Sequence, residues 1–386
     1  MKVGLVGVGQ AGGKIVETIV EHTDQTNNDV VADAMVVNTA KADLVGLDSI
    51  PLDARVLIGQ SRVKGHGAGA DNVLGAAIAD EDIDDVLSTV ANFPISEVEA
   101  FIIVAALGGG TGSGGAPVIA RELSRIYEEP VYGLGVLPDK EEGGIYQLNA
   151  ARSFVTFVNE VDNLLVFDNA AWRRGGESVR VAYEYTNGQL AQRLDTLLSA
   201  GQPRTEAAES VVDSSEIINT FAAGGVSTIG YASADLQRAH GGLLAQFSSK
   251  RPADTGDPVS RILTTTRQAT LGRLTLPCEI SSAERALLVV AGPPDVLDRR
   301  GIERAIGWLE EQTGTMEVRG GDYPLPRASK LTTLVLLSGV SDVPRLKQLQ
   351  AVAVETKQNL DQIREESPKA LQEMIWSGSD SIEPLY

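Results

Sequence analysis

The chain of 386 residues has a single cysteine, Cys278, and three scattered histidines, His22, His66 and His240. A disulfide framework and a Cys/His zinc cage are therefore excluded, and no protein-borne metal is expected. No apolar run exceeds the one from Ala100 to Leu107, far below the ~20 residues of a membrane-spanning helix. Met1-Lys2-Val3 leads straight into a strand-like segment where a signal peptide would need a longer apolar stretch, so a cytoplasmic protein without a transmembrane segment is expected. Lysine is also scarce: the 33 basic residues are 10 Lys and 23 Arg, against 52 acidic ones, for a net charge of -19. That excess repels nucleic acid, which is excluded as a partner. An acidic, lysine-poor surface suits a halophilic cytosol, where molar salt screens self-repulsion, and an ordinary acidic protein is the plain alternative. With 43% apolar and 22% charged residues, the chain is otherwise of globular composition.

What is present is an alternation of short apolar runs with amphipathic stretches through about residue 175. This is the pattern of a doubly wound α/β sheet. Six strands are predicted near Lys2–Val8, Ala34–Asn38, Arg55–Ile58, Ala100–Leu107, Pro130–Leu137 and Leu164–Phe167, with a helix over Pro117–Tyr127 opened by its proline. A long helix is predicted from Ser178 to Ala200, with Val179, Leu190, Leu194, Leu197 and Leu198 at helical spacing and Gly201 as its stop. Beyond it lie helices over Ser214–Phe221 and roughly Asp235–Gly272, then strand-like runs at Leu276–Ile280, Ala286–Ala291, Thr315–Arg319 and Thr332–Leu337, which together read as a smaller α+β domain. Val343–Glu366 reads as a polar helix interrupted by Pro368, and Ser377–Tyr386 as a tail. There is no internal repeat or low-complexity tract.

Two glycine-rich turns carry the chemistry. Gly7-Val8-Gly9-Gln10-Ala11-Gly12-Gly13-Lys14 joins the first strand to a helix starting near Gln10, where backbone N–H groups can approach phosphate oxygens. The same turn would fit a dinucleotide fold, but the second strand ends in Asn38-Thr39, with Asp33 before it, and offers no acid there for a ribose. The second turn, Gly108-Gly109-Gly110-Thr111-Gly112-Ser113-Gly114-Gly115, follows the most apolar strand. So many glycines are costly to order, and a mere connection would not need them. In the strand order 3-2-1-4-5-6 the first and fourth strands are neighbours, so both turns face one crevice. No G-x-x-x-x-G-K-[ST] loop is present, so backbone amides with the Thr111 and Ser113 hydroxyls must do most of the anion binding.

GGGTGSG over Gly108–Gly114 resembles the signature of the tubulin and FtsZ superfamily of GTPases, and GQAGG over Gly9–Gly13 looks like the tubulin form of its companion loop. With the acid-rich composition, the chain resembles CetZ, the archaeal tubulin-like family found mainly in haloarchaea, over about residues 1–340. The resemblance implies a Rossmann-like parallel-sheet GTPase domain at 1–176, a central linking helix at 177–201, a catalytic loop and C-terminal α+β domain at 202–342, and a helix and tail at 343–386. It places nucleotide contacts at Gly9, Gln10, Ala11, Gly12, Gly13 and Lys14, at Asn38 in NTAKADL, and at Ala68 and Gly69 in GHGAG. Further contacts fall at Gly108, Gly109, Gly110, Thr111, Gly112 and Ser113. In Pro138–Gly143 it puts Glu142 on the ribose, although Tyr146 stands where the family carries an arginine; a solvated acidic turn is the alternative. Asn169, after Asp168, would read guanine. Tyr183 and Asn187, one turn apart on the long helix, would stack on the purine and bond its edge, with simple core packing the alternative for Tyr183.

Val212-Asp213-Ser214-Ser215-Glu216-Ile217 resembles the family's N-x-D-x-x-[DE] catalytic loop, with Asp213 and Glu216 at the two acids and Val211 in place of the asparagine. Helix capping is the competing explanation for carboxylates at this spacing. In the family these acids enter the nucleotide site of the next subunit. The resemblance thus implies a homopolymer assembled head to tail, with GTP and GDP as ligands and Mg²⁺ carried on the phosphates. It further implies a cell-shape role, an adaptor on the tail and a place in the cytoplasm or at the inner face of the envelope. An FtsZ-like division-ring GTPase is the alternative within the superfamily, although Ile382–Tyr386 does not match the FtsZ tail peptide. A GTP-binding regulator that does not polymerise is the alternative outside it.

Overall fold

The computed structural model describes residues 1–173, 176, 178–202, 212–236 and 257–359. In chain order the first half comprises β1 (Val3–Val8), α1 (Gly9–Thr26), β2 (Val31–Asn38), α2 (Lys41–Val45), β3 (Arg55–Leu57), α3 (Gln60–Val63), α4 (Asn72–Glu81), α5 (Ile83–Val90), β4 (Ala100–Ala106), α6 (Thr111–Ile126), β5 (Val131–Leu137), α7 (Gly144–Glu160), β6 (Asn163–Asp168) and α8 (Asn169–Trp172). The central helix is α9 (Val179–Ala200). After it come α10 (Ser214–Phe221), β7 (Val226–Asp235), α11 (Pro258–Leu271), β8 (Arg285–Gly292), α12 (Arg299–Thr313), β9 (Val318–Pro324) and β10 (Lys330–Ser338), and the chain is helical again over 344–359.

The ten strands among the described residues form one sheet in the order β3-β2-β1-β4-β5-β6-β7-β10-β8-β9. The first six strands are parallel and in the predicted order, so β1 and β4 lie side by side in register from Val3↔Ala100 to Val8↔Ala105. The expected smaller α+β part is present as well. Its sheet continues the first one, through a parallel seam of only Leu164↔Val226 and Leu165↔Ser227, before turning antiparallel at β7–β10 and β10–β8. Period-2 alternation divides the core between the two faces. Val3 and Leu5 point to a cluster shared with Ile15, Ile19, Leu190 and Leu194 of α1 and α9. Val6 and Val8 point to the other cluster, with Ile78, Ile119 and Phe157 of α4, α6 and α7.

Several expectations are corrected. The helix predicted from Pro117 begins at Thr111, so Pro117 lies inside α6. The proline removes the N–H that would reach the carbonyl of Ser113, and the hydroxyl of Ser153 on α7 donates to that oxygen instead, at 2.7 Å. Leu276–Ile280 is not a strand. Pro277 lacks a donor, and the Leu276 N–H is taken by the Thr228 hydroxyl at 2.9 Å. The run predicted at Thr315–Arg319 becomes a strand only from Val318, and runs on to Pro324. The helix predicted over Asp235–Gly272 begins at Pro258, Asp235 ends β7, and 237–256 lie outside the described residues. So do Val211 and 360–386, which hold the end of the predicted C-terminal helix and the whole predicted tail.

Candidate functional site

The site is built at the C-terminal ends of the parallel strands, where β1 and β4 release their glycine turns side by side. Gly9 has φ +75, and a Cβ on it would lie 2.8 Å from the amide nitrogen of Gly112. Only glycine lets the two loops approach so closely. A Cβ on Gly12 would meet the carbonyl oxygen of Val104 at 2.3 Å, which seats α1 against β4. By contrast, Gly109 and Gly69 have nothing within 4 Å of their added Cβ positions. The loops are thus tightly packed on each other and open on one side, as a backbone cradle for a polyphosphate requires.

Neighbouring loops are tied to this floor. Thr39 and Thr111, both buried, share a 2.6 Å hydroxyl–hydroxyl hydrogen bond, linking the end of β2 to the fourth-strand turn. Asn38 donates to Asp43 at 3.1 Å and accepts the Ala40 N–H at 3.1 Å, so its amide holds its own loop. The Ser113 hydroxyl donates to the Gly109 carbonyl. Asn149 of α7, 1% exposed, donates to the carbonyls of Ala70 at 2.7 Å and Gly108 at 3.1 Å, joining the third loop to the fourth. Reading the sequence missed Thr39 and Asn149. The available signal for Asn149 was an amide set between apolar Leu148 and Ala150, on the side of the helix that Phe157 also buries.

Gln10 and Ala11 are exposed in the first turn, while Gly12 and Gly13 are buried beneath it. The Lys14 ammonium is engaged away from the cradle, by Glu17 at 2.8 Å and by the Gly46 carbonyl. Ala68 is buried against Gly110. The nucleoside candidates gather beyond β5 and β6. Glu142 accepts the Asp139 N–H at 2.8 Å. Burial pushes its carboxyl above the ordinary range, as does the charge of Asp139, while that hydrogen bond pulls the other way. Half-exposed Tyr183 lies near enough for burial, Glu142 and Asp139 together to push its phenol up. Asn169 opens α8 immediately after Asp168, and Asn187 sits one turn along α9 from Tyr183.

The two acids are elsewhere. Asp213 caps α10, accepting the Glu216 N–H at 2.9 Å and the Ser215 hydroxyl at 2.5 Å, and these bonds hold its carboxyl below the usual range. The capping role foreseen for it is thus real. Burial first, and then Asp213, push Glu216 above its usual range, with Arg319 opposing. Glu216 Oε2 is buried with no hydrogen-bond partner among the described residues. α10 lies under the N-terminal ends of the strands. A Cβ on Gly201 would be 3.2 Å from the Met1 nitrogen and 3.3 Å from the Ser214 Cα, and Asn163 at the start of β6 donates to the Phe221 carbonyl at 3.0 Å. The acids and the cradle are therefore separated by the length of β1, on the order of 20 Å. Among the described residues no group of three or more His, Cys, Asp or Glu could hold a metal ion, and no helix is long and apolar enough to cross a membrane.

Residues 2–176 match the family model described as Tubulin/FtsZ family, GTPase domain, and 176–355 the model described as Tubulin-like CetZ, C-terminal domain. Tubulin-like protein CetZ3 of Haloferax volcanii is 58% identical over the whole of both chains. The chain belongs to the CetZ family of tubulin-like proteins. It is therefore a tubulin-like GTPase with the tubulin/FtsZ fold. Among solved structures, the GDP-bound monomer of CetZ1 from Haloferax volcanii is 58% identical, with TM-score 0.83 over 92% of this chain and 100% of that one. The GTPγS-bound protofilament of CetZ2 from the same organism is 44% identical, with TM-score 0.83 over 94% and 100%.

Proposed function

We propose that this chain is a cytoskeletal GTPase of archaeal cell-shape control, assembling head to tail and hydrolysing GTP only where two subunits meet. The observation that carries the reading is the separation of the two half-sites. Asp213 and Glu216 lie at one end of β1 and the glycine cradle at the other, so no subunit can bring its own acids to its own phosphates. A contact between two different surfaces generates an open filament unless its rotation closes a ring. The relatives solved as a GDP-bound monomer and as a GTPγS-bound protofilament support both the ligand and the assembly.

In this reading the backbone amides of Gly9–Gly13 and Gly108–Ser113 hold the polyphosphate, with the Thr111 and Ser113 hydroxyls beside them. Glu142 accepts from the ribose, Asn169 and Asn187 read the guanine edge, and Tyr183 stacks on the ring. Mg²⁺, held through the phosphates, supplies charge neutralisation when bound. From the next subunit, Asp213 and Glu216 orient a water against the γ-phosphate and accept its proton. The C-terminal tail, Ser377–Tyr386, is assigned to an adaptor, which would bring the filament to the inner face of the cell envelope.

The test is GTP hydrolysis per subunit against protein concentration in molar KCl with Mg²⁺. Specific activity rising from near zero above a threshold supports the shared site. Activity independent of concentration overturns it and leaves a self-contained GTPase, and binding without turnover leaves a regulator.

A further inference from the structure

Arg345 belongs to none of the motifs above. It is the second residue of the C-terminal helical segment 344–359, yet it is only 6% exposed, and its guanidinium reaches across to the nucleotide-binding half of the molecule. Nε donates to Asp168 Oδ1 at 3.2 Å, and one terminal nitrogen donates to the Pro138 carbonyl at 2.8 Å and to Gln147 Oε1 at 3.3 Å. Gln147 in turn donates to the Asp139 carbonyl at 2.5 Å. Asp168 also caps α8 through the Ala170 N–H at 3.2 Å. A planar guanidinium is suited to fix three acceptors at once, which an ammonium on a flexible stem is not.

The partners fall on both sides of the nucleoside end of the site. Asp168 immediately precedes Asn169, and Pro138 and Asp139 open the loop that carries Glu142. Further along the segment, a Cβ on Gly144 would lie 2.8 Å from Thr356 Oγ1, so the same helix also packs against the end of that loop. Burying an Arg–Asp pair costs desolvation that an apolar pair would not, and such pairs are best explained where a particular geometry has to be held. Burial still pushes the Asp168 carboxyl up, with Arg345 opposing it.

We propose that Arg345 is a positioning residue for guanosine, setting the spacing between Asn169 on the base side and Glu142 on the ribose side and thereby coupling the C-terminal segment to nucleoside recognition. The proposal rests on the reading of Asn169 and Glu142 as nucleoside contacts. It is separable from assembly, because it acts within one subunit.

The experiment measures binding of GDP, IDP and 2′-deoxy-GDP to the full chain below its assembly threshold, in molar KCl. Inosine lacks the exocyclic amine of guanine, and the deoxy ligand lacks a ribose hydroxyl, so the two ratios report base and ribose recognition separately. Arg345→Met is expected to weaken GDP binding about tenfold, as for loss of charge-assisted hydrogen bonds, and to compress both ratios several-fold. Arg345→Lys should recover only part of either ratio. GDP, IDP and deoxy-GDP weakened equally, or not at all, would overturn the proposal and leave Arg345 as a strut. If Arg345→Met does not fold, Gln147→Leu removes one acceptor of the guanidinium together with the bond through which Gln147 passes it on to the Asp139 carbonyl. It should compress the ribose ratio and spare the base ratio, and unchanged ratios there overturn the proposal equally. In the wild-type background Asn169→Ala should lose the GDP-over-IDP preference. If it keeps that preference, the base reading fails and the proposal with it, whereas loss there with intact ratios in Arg345→Met fails the proposal alone.

Discussion

Glu216 carries the proposed catalytic role at the scale of one residue. Its carboxyl is pushed above the ordinary range by burial and by Asp213, so the native state binds its proton more tightly than the unfolded chain does. As pH rises from the unfolded value through the raised folded one, the native state acquires a poorly solvated charge. Glu216 thus costs stability above that window and none below it. Glu216→Gln should melt no lower than the parent at pH 8 while losing GTP turnover and keeping GTP affinity; a lower melting temperature, or retained turnover, would remove the assignment. Asp213 behaves oppositely, since its cap bonds stabilise the helix, so Asp213→Ala should lose turnover together with about 1 kcal/mol of stability. At the cradle, a Cβ on Gly110 would lie 3.0 Å from both the Ala68 Cβ and the Asp71 nitrogen. Gly110→Val should therefore force the third loop off the fourth and weaken GTP binding by about tenfold or more, measured by titration. These glycines were readable in the sequence because a run of them has no cheaper explanation. Thr39, Asn149 and Arg345 were not readable, because each works through partners 41 to 207 residues away that only the folded chain brings near.

Among the elements, α6 is the instructive case. A proline in a helical pattern reads as a start, and the helix was expected from Pro117. In the fold the glycine turn itself winds into the first two turns, from Thr111 to Pro117. The lost i→i−4 bond at Pro117 is replaced from α7 by Ser153. That replacement makes a testable pair. Ser153→Ala strands a buried carbonyl and should cost about 1–3 kcal/mol in denaturant unfolding. Pro117→Ala restores the N–H donor, so the double variant should recover most of that loss; additive losses would show that the two positions are not coupled. The first six strands were legible from their apolar runs. Strand β7 was not: Val-Ser-Thr-Ile-Gly-Tyr-Ala-Ser-Ala-Asp is mostly small and polar, and it is held as a strand chiefly by its antiparallel pairing with β10, from Lys330↔Asp235 to Ser338↔Ser227, with the short parallel seam to β6 at its start. α12, Arg299–Thr313, went unassigned in the sequence, where its many charged residues mask the narrow buried face of Ile302, Ala305 and Leu309.

For the whole molecule the dominant quantity is charge. The sequence carries 52 acidic against 33 basic residues, and many ion pairs among the described residues, such as Arg62–Glu81 at 2.8 Å and Arg299–Glu303 at 2.9 Å, are solvent-exposed, while Arg345–Asp168 is buried. Two effects then oppose each other on dilution. Lower salt strengthens each exposed pair, but such pairs contribute little, while the Debye length grows from about 3 Å at 1 M to about 10 Å at 0.1 M and lets the unpaired carboxylates repel across several neighbours. With a net charge of -19, repulsion wins. The melting temperature should therefore fall steadily as KCl is lowered from molar concentration to about 0.1 M. The assembly threshold should rise with it, because the docked subunits carry the same sign of charge. Sucrose separates screening from general strengthening of burial: it is excluded from protein surface but carries no charge. If the chain in low salt regains its high-salt melting temperature with sucrose alone, the salt requirement lies in apolar burial. If only salt restores it, and salts of equal ionic strength do so equally, the acidic surface is what makes the fold depend on its solvent.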